Sequence, residues 1–385
     1  MRLAVLTSHP VQYYAPLFRE LAREVDLLVF FGHRASPVEQ ARAGFGTPFD
    51  WDVDLTAGYA HTFLANVARR PGIERFSGCD TPGIGRHLRA GRFQALLVMG
   101  WHLKTYLQGA LAARRLGIPV MVRGDSQLDS PRSRLKRALK AFVYPRFLRL
   151  FDAALCVGQR SRAYYVHYGY PADRLFFSPH CVDTAWFSAR ATEDARQRLR
   201  ALHEISPETT VLLFAGKLVP FKRPVDLVVA AARCRAREVK TEVMVAGSGE
   251  LEPHLQAAAA SSGVRLHLLG FRNQTEMPAA YAAADCLVLP SDARESWGLV
   301  ANEALACGRP IIVSSSCGCA PDLAHDGNVG RTFPAGDPEA LADAIGDLAA
   351  SPPSPSAIAA LSQGYSLEAA VTGIRGAADR IAAPP

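Results

Sequence analysis

The sequence predicts an α/β protein built from two Rossmann-like, doubly wound parallel-sheet domains. Short apolar runs alternate with helical segments, beginning with a strand at 2–7, a helix at 16–23 and a second strand at 26–31. The alternation restarts with a strand at 210–215, after a charged stretch at 186–206. A length of 385 residues also suits two domains of ordinary size.

The composition is that of a folded, basic chain. Hydrophobic residues make up 49% and charged residues 21%, so the chain can bury large cores. The formal net charge of +7 favours anionic partners such as nucleotides, anionic lipid surfaces or nucleic acid, without choosing among them. The eight cysteines are scattered and predict reduced core thiols. Only Cys317 and Cys319 lie close together, so we expect no zinc site.

The N-terminal residues predict a first strand and not a signal peptide, because polar residues follow the apolar run at once. No run of about 18 apolar residues occurs, so we expect no membrane span.

In the first half, further strands are predicted at 95–99, 120–123 and 151–158, with helices at 104–116 and 161–168. Ligands of such sheets bind at the carboxyl ends of strands. The polar residues that follow these strands are His9, Gln12, His102 and Asp125. His9 either faces a ligand or caps its turn. The irregular segment 33–92, which is rich in aromatics, either faces a ligand or packs on the sheet.

The segment 131–150 carries seven basic residues and no acidic one. Leu135, Leu139 and Phe142 recur in it at helical spacing. This pattern fits a basic amphipathic helix on an anionic membrane, and it also fits a core helix with a solvated basic face, which is the slightly favoured interpretation. Pro145 is expected to break or kink the helix.

In the second half, the predicted strands are 210–215, 242–246, 265–269, 285–290 and 311–315. The predicted helices are 226–235, 250–260, 277–284, 338–349 and 366–381, with a linker-like break at 351–355.

The stretch 295–303 begins and ends with a carboxylate, and it lies between two strand-like runs. We interpret it as a loop from Glu295 to Gly298 followed by a short helix that contains Glu303. The amides of Gly298, Leu299 and Val300 would then lie at a helix N-terminus, where phosphate binds readily. Two acids flanking such a site suit a phosphorylated sugar with hydroxyls at both ends.

This stretch, with the small-residue helix from Glu303 to Pro310, resembles the E-x7-E signature of retaining glycosyltransferases with the GT-B fold, most closely glycosyltransferase family 4. The resemblance covers nearly the whole chain. It implies two domains that face each other across a cleft. It also implies a nucleotide-diphosphate sugar as co-substrate, with a UDP-sugar favoured, and no metal or other cofactor.

The resemblance also implies a set of donor-binding residues. Lys217 and Lys222 would hold the diphosphate, helped by Arg223. Glu303 would hold the ribose and Glu295 the sugar. The remaining donor-binding residues that it implies are Gly247, Gly249, Gly270, Phe271, Arg272, Trp297, Gly298, Leu299 and Val300.

Relatives often carry a histidine after the strand at 120–123, where this chain has Arg123-Gly-Asp125. Either Asp125 or His102 takes the polar role, or Arg123 neutralises Asp125 in a structural pair. Glu295, Lys222, Asp125 and His102 are therefore the candidate catalytic residues, and His9 and Gln12 are acceptor-side candidates. In a retaining enzyme the departing phosphate can take the acceptor proton, which makes a protein base less necessary.

The resemblance implies an acceptor-side domain at 1–185, a link at 186–206, a nucleotide-sugar domain at 207–365 and a helix at 366–385 that returns to the first domain. The expected activity is sugar transfer to a hydroxyl of a glycan or lipid-linked acceptor in cell-surface polysaccharide or glycolipid synthesis. The expected location is the cytoplasm, with peripheral attachment to the inner face of the membrane through 131–150. The alternatives are another GT-B enzyme, such as an epimerase or phosphorylase, and a non-catalytic sugar-nucleotide-binding protein. Nucleic acid is not an expected partner, because the basic runs lack interleaved exposed aromatics.

Overall fold

The computed structural model describes residues 1–41 and 48–382. The chain divides into two compact units. Unit 1 comprises 1–39, 54–180 and 367–385, and unit 2 comprises 40–53 and 181–366. The part of segment 33–92 at 42–47 lies outside the described residues.

Unit 1 contains a parallel sheet of seven strands in the order β3-β2-β1-β4-β5-β6-β7. The strands are β1 Arg2–Thr7, β2 Asp26–Phe31, β3 Ala60–Phe63, β4 Ala95–Val98, β5 Val120–Gly124, β6 Ala153–Cys156 and β7 Leu175–Phe177. Central β4 is buried at every position, which is why it is a continuous apolar run without alternation. The strand order reverses between β1 and β4, so their carboxyl ends open a crevice of the kind where ligands of such sheets bind.

The helices of unit 1 cover both faces of this sheet. They are α1 Tyr14–Glu24, α2 Pro37–Gln40, α3 Ile84–Gly91, α4 Lys104–Arg115, α5 Arg134–Phe147, α6 Gln159–His167 and the C-terminal α16 Leu367–Ala382. Helix α16 packs closely on β7, where a Cβ added at Gly373 would lie 1.8 Å from the Phe177 carbonyl oxygen. The Ser178 hydroxyl donates to the Ala370 carbonyl at 2.9 Å. The last helix is therefore a structural part of unit 1.

Unit 2 contains a parallel sheet of six strands in the order β10-β9-β8-β11-β12-β13. The strands are β8 Thr210–Ala215, β9 Thr241–Ala246, β10 Leu266–Gly270, β11 Cys286–Leu289, β12 Ile311–Ser314 and β13 Gly330–Phe333. Here the order reverses between β8 and β11, which makes their carboxyl ends the second ligand-binding crevice.

Nine helices of unit 2 lie within its described residues. They are α7 Thr184–Arg190, α8 Glu193–Leu202, α9 Pro224–Ala236, α10 Glu252–Ser262, α11 Met277–Ala283, α12 Val300–Ala306, α13 Ala320–Leu323, α14 Pro338–Ala350 and α15 Pro355–Gly364. The core between α9, α14 and the sheet is aliphatic, with Leu227, Val243 and Ile345 almost wholly buried.

Several sequence expectations differ from the structure. The stretch 186–206 was expected to be an inter-domain link with one charged helix, and it instead belongs to unit 2 and holds most of α7 and the whole of α8. Arg196 and Arg200 of α8 both pair with Asp285, at 2.7 and 2.6 Å. The break expected at 351–355 ends in α15, which the sequence did not predict. Pro145 does not break α5. Its fixed φ is compatible with a helix, and its missing N–H removes only the one hydrogen bond to the carbonyl of Ala141.

The residues at 48–53 pack within unit 2 although they precede most of unit 1 in the chain. The Phe49 ring lies 4.4 Å from the Phe271 ring, and the Asn273 side chain donates to the Asp50 carbonyl at 2.8 Å. Among the described residues, no helix is long and apolar enough to cross a membrane.

Candidate active site

The crevice of unit 2 holds an ion pair between Lys222 and Glu295. Lys222 ends the 3₁₀ turn that follows β8, and Glu295 lies in the loop that follows β11. Their side chains are only 14% and 12% exposed. The Ser291 hydroxyl donates to the same Glu295 oxygen at 3.1 Å. The two loops are tied together by the Asp292 amide, which donates to the Phe221 carbonyl at 2.8 Å, so the pair is held from both strand ends.

Lys217 lies beside this pair. Its partial burial lowers the pKa of its ammonium group, Lys222 lowers it further, and Glu295 opposes the change. An added Cβ at Gly216 would lie 3.9 Å from the Lys222 Nζ, so the Lys222 side chain passes over the backbone next to Lys217. Two ammonium groups and one carboxylate thus share one sheet edge, which is a charge arrangement suited to a diphosphate.

The loops that follow β8, β9 and β10 are hydrogen-bonded side by side. The Leu218 amide donates to the Ser248 carbonyl at 2.9 Å, and the Gly247 amide donates to the Gly270 carbonyl at 2.8 Å. A Cβ at Gly247 would lie 1.9 Å from the Gly216 carbonyl oxygen, and one at Gly249 would lie 2.6 Å from the Leu218 carbonyl oxygen. These glycines therefore allow the loops to pack closely and keep the Lys217 loop in place.

Glu303 is the fourth residue of α12 and is partly buried. Burial raises the pKa of its carboxyl group to about 7, although the hydrogen bond from the Tyr281 hydroxyl opposes the shift. That hydroxyl lies 2.6 Å from the Glu303 Oε2. With this pKa, the group is partly a carboxylate at neutral pH, and the carboxylate can accept hydrogen bonds from ligand hydroxyls.

Of the residues between Glu295 and Glu303, Trp297 lies in the core, whereas the next residues form the N-terminus of α12. Trp297, an expected donor-binding residue, is only 4% exposed and donates its indole N–H to Asn302 at 2.8 Å. It is thus a core residue that holds the loop against α12, because a large ring gains most from burial. Gly298 has φ +102° and an added Cβ there would lie 2.4 Å from Leu289. Leu299 occupies the N-cap position of α12 without a side-chain cap, and Val300 begins the helix. Phosphate binding by the amides of Gly298, Leu299 and Val300 stays a prediction.

Three other expected donor ligands already have partners within unit 2. Arg223 pairs with Asp226 at 2.7 Å, and Arg272 pairs with Glu276 at 2.8 Å. Phe271 stacks on Phe49, and this contact was not predicted because the two residues are remote in sequence. Gly270, with φ +71°, makes the turn that leads to Phe271.

Unit 1 has a separate cavity of about 280 Å³ at the carboxyl ends of β1, β4 and β5. It is lined by Ser8, His9, Val11, Tyr13, Tyr14, Ile73, Met99, Gly100, Trp101, His102, Tyr106, Arg123, Gly124, Asp125, Ser126, Val157 and His180. His9, His102 and Asp125 are thus brought together as predicted candidates. Gln12 is not among the described residues that line it. Tyr13, Tyr14 and Tyr106 also line the cavity and were not predicted as site residues.

The histidines of this cavity favour the neutral state. Burial lowers the pKa of His9 to about 4 and that of His180 to about 3, and it also lowers the pKa of His102. The His180 Nε2 lies 3.9 Å from the Asp125 Oδ2. Arg123 donates to the Ser178 hydroxyl at 3.3 Å and to the Pro179 carbonyl at 2.5 Å, so it braces the loop that carries His180.

No group of three or more His, Cys, Asp or Glu side chains suited to a metal ion occurs among the described residues. All eight cysteines are buried and reduced. The groups described in the two crevices are charged and hydrogen-bonding side chains.

Two family models match the chain in succession. The model for Glycosyltransferase Family 4 matches residues 12–186, and the model for Glycosyl transferases group 1 matches residues 195–362. The crystal structure of Anabaena Alr3699/HepE in complex with UDP and glucose superposes with a TM-score of 0.70 at 16% identity, covering 98% of both chains. That likeness shows the GT-B fold.

Among curated relatives, the chain is 32% identical over 209 residues to the GDP-mannose-dependent alpha-(1-6)-phosphatidylinositol monomannoside mannosyltransferase of Mycolicibacterium smegmatis. It is 36% identical over 173 residues to the D-inositol 3-phosphate glycosyltransferase of Pseudarthrobacter chlorophenolicus. The matches cover 52% and 43% of this chain, and 54% and 39% of the two relatives. Since the family models match both halves and the fold is GT-B, the chain belongs to glycosyltransferase family 4.

Proposed function

We propose that the chain transfers a glycosyl group from a nucleotide-diphosphate sugar to a hydroxyl acceptor, with retention of the anomeric configuration. The observation that carries this proposal is the Lys222–Glu295 pair with Lys217 beside it, at the point where the strand order of unit 2 reverses. Matches to glycosyltransferase models in both halves of the chain support it.

In the proposed reaction, the bond between the anomeric carbon and the diphosphate oxygen breaks, and a bond from the acceptor oxygen to that carbon forms. Negative charge develops on the diphosphate, where Lys217 and Lys222 would stabilise it in a partly buried setting. The acceptor proton passes to the departing phosphate oxygen, on the face from which the acceptor attacks. The step therefore needs neither a metal ion nor a protein base.

The two acids have different proposed roles. Glu303, the fourth residue of α12, would accept hydrogen bonds from the ribose hydroxyls through its carboxylate form, which is present at neutral pH because its pKa is about 7. Glu295 would position Lys222 and accept hydrogen bonds from the sugar. Ser291 keeps the Glu295 carboxylate oriented for this role.

The cavity of unit 1 is proposed as the acceptor pocket. Its neutral imidazoles offer one donor and one acceptor each, which suits hydroxyl groups, and Asp125 supplies a carboxylate. Asp125 and His102 are the proposed residues that orient the attacking hydroxyl. The proposed acceptor is a glycan or a lipid-linked sugar or polyol, and the proposed setting is cell-surface polysaccharide or glycolipid synthesis at the inner face of the membrane.

A UDP-sugar is the proposed donor, although one curated relative is named for GDP-mannose. The solved complex with UDP supports the choice of UDP. Titration of the chain with UDP- and GDP-sugars, followed by thermal unfolding, tests the proposal. We expect one nucleotide sugar to raise the Tm and to be consumed in the presence of an acceptor, with the product anomer read by NMR.

Three outcomes of this experiment would overturn the proposal. Absence of any Tm shift across the panel contradicts donor binding. If the chain binds a nucleotide sugar but neither transfers the sugar nor slowly hydrolyses the donor, it is a sugar-nucleotide-binding protein. An inverted anomer contradicts retention.

A further inference from the structure

Helix α5 carries an apolar stripe that faces solvent. Leu135, Leu139, Phe142 and Val143 are 80%, 61%, 68% and 42% exposed. These positions follow the spacing i, i+4, i+7 and i+8, which places them on one helix face. Within α5, all of which the structure describes, no residue is fully buried. A contiguous exposed stripe of this kind marks an interaction surface.

The opposite face of α5 already attaches the helix to unit 1. Tyr144 and Phe147 lie against Trp101, with ring centroids 6.4 and 6.3 Å from it. The Lys140 ammonium donates to the Tyr164 hydroxyl at 2.8 Å. The solvent-facing stripe is therefore not required to hold α5 in place, and the favoured expectation of an ordinary core helix is wrong.

The charge around the stripe selects the partner. The seven basic residues at 131–150 include Arg134, Lys136 and Arg137, all exposed, and the segment contains no acidic residue. An isologous contact with a second copy would set these cations against each other. An anionic bilayer instead accepts apolar side chains below its headgroups and cations beside its phosphates.

We infer that α5 docks unit 1 on a bilayer rich in anionic phospholipid, with Leu135, Leu139, Phe142 and Val143 inserted at the headgroup boundary. Trp101 lines the unit 1 cavity and contacts α5, so the docked helix borders that cavity. The acceptor is then a lipid whose polar head enters the cavity. This second statement rests on the proposed function, whereas the docking itself does not.

Flotation of the full chain with vesicles tests the docking. We expect binding to vesicles of about equal phosphatidylglycerol and phosphatidylcholine, and at least about tenfold weaker binding to phosphatidylcholine alone. The variant L135S/L139S/F142S should lose at least about tenfold in binding, because the apolar anchor is removed. The variant R134E/K136E/R137E should bind the anionic vesicles more weakly, and its remaining binding should no longer decrease with added salt.

Leu202→Ser is the matched control, since Leu202 is 75% exposed on α8 of unit 2. It should bind vesicles like the parent chain, and all variants should keep the parent Tm because the replaced residues are exposed. Equal binding of the stripe variant and the parent would overturn the inference. So would a dimer that the stripe variant dissociates without any vesicle binding, or nucleic-acid binding that only the charge variant abolishes.

The failure of this inference differs from failure of the proposed function. Donor binding, measured by titration without vesicles, should be unchanged in the stripe variant. If docking is correct and the acceptor is a lipid, that variant loses transfer to vesicle-borne acceptor and keeps donor hydrolysis. Vesicle binding without any donor binding would support the docking and contradict the proposed function. Transfer to a vesicle-borne acceptor at the parent rate by the stripe variant would overturn the inference that docking through α5 brings the lipid head to the cavity.

Discussion

The crevices of the two units lie at the same topological position and differ in how they treat charge. In unit 2, burial of Lys222 is compensated by Glu295. In unit 1, burial instead favours the neutral forms of His9 and His180. At His180, burial and the neighbouring Arg123 outweigh Asp125, which lies 3.9 Å away, whereas Lys222 contacts Glu295 directly. The unit 2 crevice is thus suited to an anion, and the unit 1 crevice to neutral polar groups.

The two crevices also differ in how closely they resemble the family. The residues around Lys217, Lys222 and Glu303 follow the family pattern, as a common donor chemistry would require. The unit 1 edge departs from it at Arg123 and Asp125, which line the proposed acceptor pocket. Four experiments test this contrast between the two crevices.

Lys222→Ala should have the largest effect. Loss of a preorganised cation at the developing diphosphate charge should lower kcat by about 10² to 10³-fold, corresponding to ~3–4 kcal/mol. Turnover with saturating donor measures it. Lys240→Ala is the control, because Lys240 is 72% exposed and pairs only at the surface. A Lys222 variant with kcat close to that of the control would remove the charge-stabilising role from unit 2.

Glu303→Ala should weaken donor binding by about tenfold to a hundredfold, because a hydrogen bond to a charged group contributes ~1.5–3 kcal/mol. Calorimetric titration with the nucleotide sugar measures the change in Kd. Glu208→Ala, at a glutamate that is 76% exposed, should leave the Kd unchanged. An unaltered Kd in the Glu303 variant would show that the ribose is held elsewhere.

The pH dependence of donor binding should follow Glu303. Its pKa of about 7 means that the carboxylate form predominates above neutrality and the protonated form below it. Affinity should therefore rise between pH 6 and pH 8 by up to about tenfold, the change in carboxylate fraction for one such group. The intact nucleotide sugar is the probe, because its diphosphate does not titrate there. A Glu303→Gln variant that keeps the same pH dependence would assign it to another group.

His102→Ala should have the smallest effect, and only on the acceptor. Loss of one neutral hydrogen bond, ~1 kcal/mol, should raise the acceptor KM about fivefold and leave donor Kd unchanged. His254→Ala, on the exposed face of α10 in unit 2, is the control. A changed donor Kd would contradict the assignment of His102 to the acceptor side.

Local pattern was sufficient for most of the strands. The bounds of β1, β2 and β8 agree with the predicted 2–7, 26–31 and 210–215, because buried parallel strands are short apolar runs bounded by turns. Helix α15 was missed since Pro and Ser residues at 351–355 suggested a break, whereas Ser354 caps the helix and Pro355 begins it.

Some properties of the candidate site were also predictable from sequence, and others were not. Glu295 and Glu303 were predicted from the E-x7-E pattern, and Lys217 and Lys222 from the resemblance of their loop to that of the family. Sequence did not show that Trp297 is buried, that Arg223 and Arg272 are already paired, or that Phe49 reaches Phe271. Each of these depends on neighbours that are distant in the chain.

Residue type and local spacing were enough to predict the two-sheet α/β class, the family resemblance and the charge of the segment 131–150. The solvent-facing side of α5 and the neutral polar groups became evident only in the folded chain. Exposure and pKa values depend on what packs around a side chain, and packing joins residues far apart in the chain. The solvent exposure of the α5 stripe and the neutral state of the unit 1 histidines were therefore recognised only from the fold.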